Sequence, residues 1–435
     1  MVRDLLRGLL CLLLVGCAAT PYVAPSTACN NAGVSEVDPW WRRFDDPQLL
    51  ALLQEARRCN VDLAQRALKV QRLRLEQGRI DPAVSSTLSG QSQKPLDGAL
   101  ATRRFGAELS VGYELDLWGR LARGHDAEAM AAVASEYDRQ ALALTLSSSL
   151  ASGYWWLSGL TQRLHLARDT LRLQQQLLAS IELEAQAGAS APRSVWEQQQ
   201  QVLLARQSLS ELERQQLEAR QRLAEWLDRP SIIELEPGPL PSAPMLTADL
   251  PVDLLARRPD VAAQESALRR QLALVDRARA DMLPRLTLTG SLGGGGSALG
   301  QALAAPYASA LARLALPVLD WRNLNIRRQQ AEIDYWSEAL AYRKTVHRAL
   351  READQALREE RRAREDVERA ARDLVLARQS EAETELRVQV GDRSRQTLYA
   401  ARIQRLAVED RQLTLRVTQM ESWVRLYRVL GGAPD

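Results

Sequence analysis

Histidine is nearly missing from this chain. Only His125, His165 and His347 occur in 435 residues, scattered along helical runs with no metal-ligand spacing. Cysteine is almost as scarce, with four. Neither charge sign dominates: the formal net charge is +3, a balance that argues against nucleic acid as a partner. The glycine run at 293–296 lacks the lysine and hydroxyl residue of a phosphate-binding loop. With no nucleophile–base arrangement and no cofactor loop, the sequence points away from enzymes and towards a protein that performs no chemistry.

Nor is there an apolar run of the ~20 residues that a spanning helix needs. The short apolar core at 8–16, preceded by Arg3 and Arg7, reads instead as a secretory signal. It ends in Leu14-Val15-Gly16-Cys17, the pattern of a bacterial lipobox. Residues 1–16 are therefore expected to be removed and Cys17 to carry acyl chains. Two or more chains make a lasting membrane tether, and this covalent lipid is the only non-protein group expected. Ala18, in place of aspartate, fits sorting to the outer membrane. Cys29 and Cys59 remain, and an oxidising compartment permits them to pair or to stay thiols.

What the chain does contain is itself, twice. Trp118 is matched by Trp321, Gly188 by Gly391, Leu223 by Leu426 and Leu227 by Leu430, all 203 residues apart. Pro82 answers to Pro284 at 202, and Ala64-Gln65 to Ala263-Gln264 at 199. Repeats decide the fold before any local feature does. The expected organisation is an acylated segment at 17–45, a first repeat at 46–228, a proline-rich linker at 229–252 and a second repeat at 253–432.

Each repeat supplies a pair of strands. Residues 105–117 alternate, with Phe105, Ala107, Leu109, Val111, Tyr113, Leu115 and Leu117 on one face. Gly106, Glu108, Ser110, Gly112, Glu114 and Asp116 form the other. Val84, Ser86, Leu88 and Gly90 alternate likewise, as do Leu286, Leu288, Gly290 and Leu292, and more weakly residues 306–317. Strands of about ten residues cross a bilayer when tilted. Four cannot close a barrel, so either they form a small soluble sheet or several chains pool them, and three chains would give twelve. Residues 293–296 are expected at a hairpin tip. If Leu109 and Leu115 face lipid, then Glu108, Glu114 and Asp116 face the lumen and favour cations.

Long helices follow the strands. Leu157, Leu160, Leu164, Ala167, Leu171, Gln174, Leu178, Ile181 and Ala185 step by threes and fours, a heptad seam with one polar member. The second copy is regular but alanine-rich, through Ala349, Ala353, Ala356, Glu360, Ala363, Val367, Ala370, Leu374 and Ala377. At ~1.5 Å per residue, a helix over 119–187 spans on the order of 100 Å. Glycine and a polar cluster close each one, and return helices are expected at about 194–228 and 395–430. Shorter helices begin at Asp46-Pro47 and Pro259-Asp260. The fold class is thus mainly α with a transmembrane β part.

Several longer motifs carry a resemblance. They are Pro39-Trp40-Trp41-Arg42-Arg43-Phe44, Tyr113-Glu114-Leu115-Asp116-Leu117-Trp118-Gly119-Arg120, Arg257-Arg258-Pro259-Asp260-Val261, Ala278-Arg279-Ala280-Asp281-Met282-Leu283-Pro284 and Leu426-Tyr427-Arg428-Val429-Leu430-Gly431-Gly432. Together they resemble the lipoprotein branch of the TolC-type outer-membrane efflux channels. The resemblance covers nearly the whole mature chain. It implies a homotrimer with a twelve-stranded β-barrel in the outer membrane and an α-helical tunnel through the periplasm. It also implies a periplasmic adaptor (membrane fusion protein) and an inner-membrane RND-type pump as partners. Such channels open at the helix-hairpin tips, often past a leucine and an aspartate just after the second tip's glycine. Here those positions hold Gln396 and Ala400, so an acidic ring does not carry over. Asp392, Arg393, Arg395 and Gln396 are the aperture candidates, the charged ones lining the opening, bridging helices or simply forming a solvated turn. The alternative, a lipid-tethered coiled-coil scaffold without a pore, explains Cys17 and the helices but not the duplicated strands.

Overall fold

Asp46 starts the first helix. Its carboxylate accepts from the Leu49 N–H at 3.0 Å, and Pro47 occupies the first turn, where its missing donor costs nothing. The computed structural model describes residues 38–77, 83–93, 102–243, 257–298 and 306–432. The signal segment, Cys17 and Cys29 lie outside them. Cys59 is disulfide-bonded, and as the only cysteine among the described residues it has its partner beyond them.

The first repeat runs through α1 (Pro47–Cys59), α2 (Val61–Gln77), β1 (Ala83–Gln93), β2 (Thr102–Leu115), α3 (Arg120–Gln186) and α4 (Pro192–Trp226). The second runs through α5 (Pro259–Ala280), β3 (Arg285–Gly296), β4 (Pro306–Ala315), α6 (Trp321–Gln389) and α7 (Arg395–Val429). The long helices hold 67 and 69 residues and their return helices 35 each. Both hairpin tips turn in the same way. Gly188 (φ 74°) and Gly391 (φ 81°) take the left-handed conformation. Ala189 N–H and Asp392 N–H reach back to the carbonyls of Glu184 and Arg387, at 2.8 and 2.9 Å. The return helix α4 starts two residues before the expected Ser194, because Pro192 suits the first helical position.

The heptad seams face inwards. Leu157, Leu160 and Leu164 are buried on α3, and Ala349, Ala356, Ala363, Ala370 and Leu374 on α6. Alanine there lets α6 and α7 approach closely while arginine and glutamate occupy the outside. The polar members are satisfied: Gln174 accepts twice from the buried Gln198 amide, at 3.1 and 2.6 Å, and buried Glu360 accepts from Arg364 at 3.1 Å.

The strands form one antiparallel sheet in the order β1-β2-β3-β4. Val84 stands opposite Val111, Leu109 opposite Leu292, and Leu288 opposite Ala312. Two expectations need correction. The glycines at 293–296 are not a tip: β3 runs through all four, paired with residues 105–108 of β2. Tyr307 explains one of them, since a Cβ on Gly293 would stand 3.0 Å from its ring. Strand β2 also stops at Leu115, so Asp116 and Leu117 lie beyond it.

The repeats are joined by aromatic packing where α3 and α7 cross. A 3-10 turn, Pro39–Phe44, places Trp40 against Tyr427 at 4.2 Å and Trp423 at 5.2 Å, while Phe44 meets Trp155 at 4.7 Å. Trp40, Trp41, Trp155 and Trp423 are buried there, each aromatic removing a large apolar area from water. The proline-rich stretch after α4 lies along this core, with Ile233 and Leu240 buried and the Gly238 carbonyl accepting from Ser158 at 2.6 Å. Arg258 closes the joint. Its buried guanidinium binds Asp260 at 2.9 and 3.0 Å, Glu352 at 2.7 Å and the Val429 carbonyl at 3.3 Å.

On α3, Gly159 lies where an added Cβ would collide with Val417 of α7. Overpacking costs about 1–3 kcal/mol, more than the roughly 1 kcal/mol alanine gains in helix propensity. Gly159→Ala should therefore lower the thermal midpoint, and Gly159→Ala with Val417→Ala should recover most of it. Differential scanning calorimetry in detergent reads both.

Candidate pore wall and aperture

The sheet has two unlike faces. Val84, Leu88, Leu109, Val111, Tyr113, Leu288, Leu292 and Leu314 share one, and every one is exposed to the surroundings. The other carries small polar residues, tied across strands by Ser85–Ser110 at 2.7 Å and Ser291–Ser309 at 2.8 Å. An exposed apolar face backed by a polar one is the pattern of a lipid-facing barrel wall. Among the described residues no helix is long and apolar enough to cross a membrane.

The three expected lumen acids part company. Glu114 sits on the polar face but is bound by the Arg120 guanidinium through two bonds of 2.8 Å. That bond, with the charge of Glu114, raises the Arg120 pKa despite burial. Asp116 belongs to the junction: its carboxylate accepts from the N–H groups of Leu121 at 3.0 Å and Ala122 at 2.8 Å, capping the long helix. Burial pushes its pKa up, but the backbone donors and Arg120 outweigh it, holding the carboxyl below its ordinary value. Only Glu108 stands on the strand without a partner among the described residues, exposed opposite Thr87 and Gly293. Arg104 and Arg313 share its face by strand parity. The signal for Asp116 was present in the sequence, an acid just ahead of a helix, but the strand alternation masked it.

At the other end the packing thins. Beyond Leu173 on α3 and Leu374 on α6 no residue of either long helix is buried. Polar contacts take over: Arg402 binds Glu385 at 2.9 Å and Arg405 binds Glu381 at 2.5 Å, while nearer the core Arg163 of α3 grips Asp410 of α7 at 2.7 and 3.2 Å. Of the aperture candidates, Gln396 alone ties the two hairpins together, donating to the Ser180 hydroxyl at 3.2 Å. Asp392, Arg393 and Arg395 are exposed at the tip and form no ion pair with another described residue. The Arg163–Asp410 tie was not legible in the sequence, because residues 247 positions apart meet there, and neither was the Gln198 partner of the seam residue Gln174.

A lipid-compatible sheet joined through capped helices of on the order of 100 Å to polar tips defines a channel wall that spans an outer membrane and reaches into the periplasm. Residues 52–228 and 250–432 match the outer membrane efflux protein family, and the chain belongs to it. It is 31% identical to the pyoverdine export outer membrane protein OpmQ of Pseudomonas aeruginosa, covering 97% of this chain and 95% of that one. It is 27% identical to the toluene efflux pump outer membrane protein TtgC of Pseudomonas putida, covering 93% and 87%. The solved outer-membrane channel OprN superposes with a TM-score of 0.81 at 27% identity, covering 96% of this chain and 99% of that one. The protein is accordingly an outer-membrane exit duct of an efflux pump, and its family consists of transport channels.

Two expectations follow. Glu108→Lys should shift single-channel selectivity towards anions, whereas Glu114→Lys should mainly destabilise the barrel–helix junction; equal selectivity changes would contradict this division. Gln396→Ala should raise the resting conductance in planar bilayers, and an unchanged conductance would mean the Ser180 contact does not hold the tips together.

Proposed function

We propose that three copies of this chain close a twelve-stranded barrel and a shared helical tunnel, forming a passive duct. A periplasmic adaptor and an inner-membrane RND-type pump would deliver the cargo and supply the energy. The observation that carries the reading is the four-stranded sheet with an exposed apolar face and two open edges. In lipid those edges leave backbone groups unpaired at several kcal/mol each, and strands from other copies satisfy them. The same feature disfavours a pore-less scaffold, which has no use for bilayer-length strands.

An acylated Cys17 would anchor the assembly beside its barrel. Cargo is small molecules, selected upstream. OpmQ and TtgC carry different cargoes in their names, yet this chain is similar to both over most of its length. The duct contributes width and field, with Glu108 set against Arg104 and Arg313, so cation preference would be modest. At the aperture, Asp392, Arg393 and Arg395 give a mixed ring instead of an acidic one.

The deciding measurement is native mass after extraction of outer membranes in mild detergent. A trimer is expected. A monomer would leave both sheet edges open in lipid and remove the duct reading.

A further inference from the structure

Where the return helices α4 and α7 come back to α3, a cavity of about 530 Å³ lies between the three. Small-molecule sites fall in the range of ~300–1,000 Å³. From α3 the lining takes Ser148, Ser149, Ser152, Gly153 and Trp156. Arg222 and Trp226 come from α4, and Glu421, Arg425 and Arg428 from α7. None of these residues belongs to the sheet or to the hairpin tips.

Several polar groups here are left over by the fold. Ser148 is only 3% exposed, yet its hydroxyl has no hydrogen-bond partner among the described residues. Helical hydroxyls commonly turn to the carbonyl four residues back, as Thr145 and Thr161 of the same helix do at 2.9 Å. Arg428 is exposed and forms no ion pair or side-chain hydrogen bond with another described residue. Arg222 stands 3.9 Å from Glu218, beyond hydrogen-bond range. Of the three guanidinium groups, Arg425 is the one held, by Glu359 at 2.5 Å. Gly153 shapes the wall. A Cβ there would collide with the Trp226 ring, so glycine in mid-helix lets the indole lie across α3.

The duplication supplies an internal comparison. At the offset of 203, Ser149, Ser152, Gly153, Arg222 and Trp226 become Glu352, Gln355, Ala356, Arg425 and Val429. Those five line a second cavity. A backbone tie is repeated as well, since Asn60 donates to the Trp226 carbonyl as Arg258 does to that of Val429, both at 3.3 Å. In the second repeat the joint is an ion network, with Arg258 binding Glu352 and Asp260. In the first, Asn60 carries no charge, serines replace the acid and the amide, and a tryptophan replaces valine. One framework therefore holds a salt-bridged joint in one repeat and a cationic, aromatic cavity in the other.

Guanidinium groups bind carboxylates in a planar fork, hydroxyls donate to the same group, and tryptophan faces take flat apolar rings. Glu421 is the only acid in the lining. Burial holds its pKa above the ordinary value despite the pull of Arg425, so it opposes an anion less than a solvated carboxylate would. We infer that this cavity is a binding site for an aromatic carboxylic acid. Arg428 and the Ser148 hydroxyl hold the carboxylate, and the ring lies against Trp226, with Arg222 and Arg425 adding positive field. The site lies within one chain and is independent of how many copies assemble. A bound molecule ties α3 to both return helices and so braces the joint between the repeats.

The test is isothermal titration calorimetry of the full-length chain in mild detergent, with naphthoate as the probe and empty micelles as the blank. Saturable binding is expected at about one molecule per chain. The neutral counterpart, naphthylmethanol, should bind at least about tenfold more weakly. Arg428→Gln should weaken naphthoate by about tenfold or more, and Ser148→Ala several-fold. Neither variant should lower the thermal midpoint, since neither side chain has a partner to lose. Gln355→Ala, in the second cavity, should leave binding unchanged, and Glu421→Gln should hold or tighten it. No saturable binding, equal binding of the alcohol, or full binding by both Arg428→Gln and Ser148→Ala overturns the site. Loss on Gln355→Ala places the ligand in the second cavity and overturns the assignment. Loss on Glu421→Gln marks a site for a cation and overturns the ligand class.

Discussion

The backbone hydrogen bond is the constraint on which this structure turns. A sheet in hydrocarbon has no water to satisfy its edge groups, and this chain ends its sheet in two open strands, β1 and β4. The rest is consistent with that demand. The strands are bilayer length, their apolar face is exposed, and a second copy of the hairpin doubles the sheet that one chain supplies. A single closed barrel within one chain would have required more strands than 435 residues spend on them beside such long helices.

Below the sheet, the helices must begin at the right place and orientation. Asp116 caps α3 and Arg120 holds Glu114, so the residues at the end of β2 aim the helix that follows. From there the packing is graded. Near the crossing of α3 and α7, buried tryptophans and the Pro39–Phe44 turn weld both repeats into one body. Towards the tips, apolar burial fades and side-chain amides and ion pairs carry the contacts. Segments with few buried apolar contacts open at lower free energy than the core, which leaves the tips free to rearrange while the aromatic core stays intact.

Much of this was legible in the sequence because it is periodic. The duplication, both long helices, their glycine turns and the alternation of β2 all repeat at spacings that backbone geometry imposes. The failures are equally physical. Four glycines in a row look like a turn because they permit one, yet β3 runs through them under the Tyr307 ring. Asp116 continued the strand alternation by position, whereas the helix behind it had the stronger claim on its carboxylate. The proline-rich stretch looked like a spacer, but Ile233 and Leu240 bind it to the core, which short irregular segments do not advertise by any period. Arg258 stood in a motif without a role until Asp260, Glu352 and the Val429 carbonyl came together around it.

By itself, then, the order of residues determined the repeat, the element types, the strand faces and the family, since all of these follow from local spacing along the chain. Only the tertiary structure decided which acid on β2 is free, which polar side chains tie the hairpins, and which helix faces stay uncovered. Those depend on distances between residues up to hundreds of positions apart, such as Tyr427 donating to Asp38 at 2.6 Å. No periodicity encodes such a distance, because it is set by how whole elements pack.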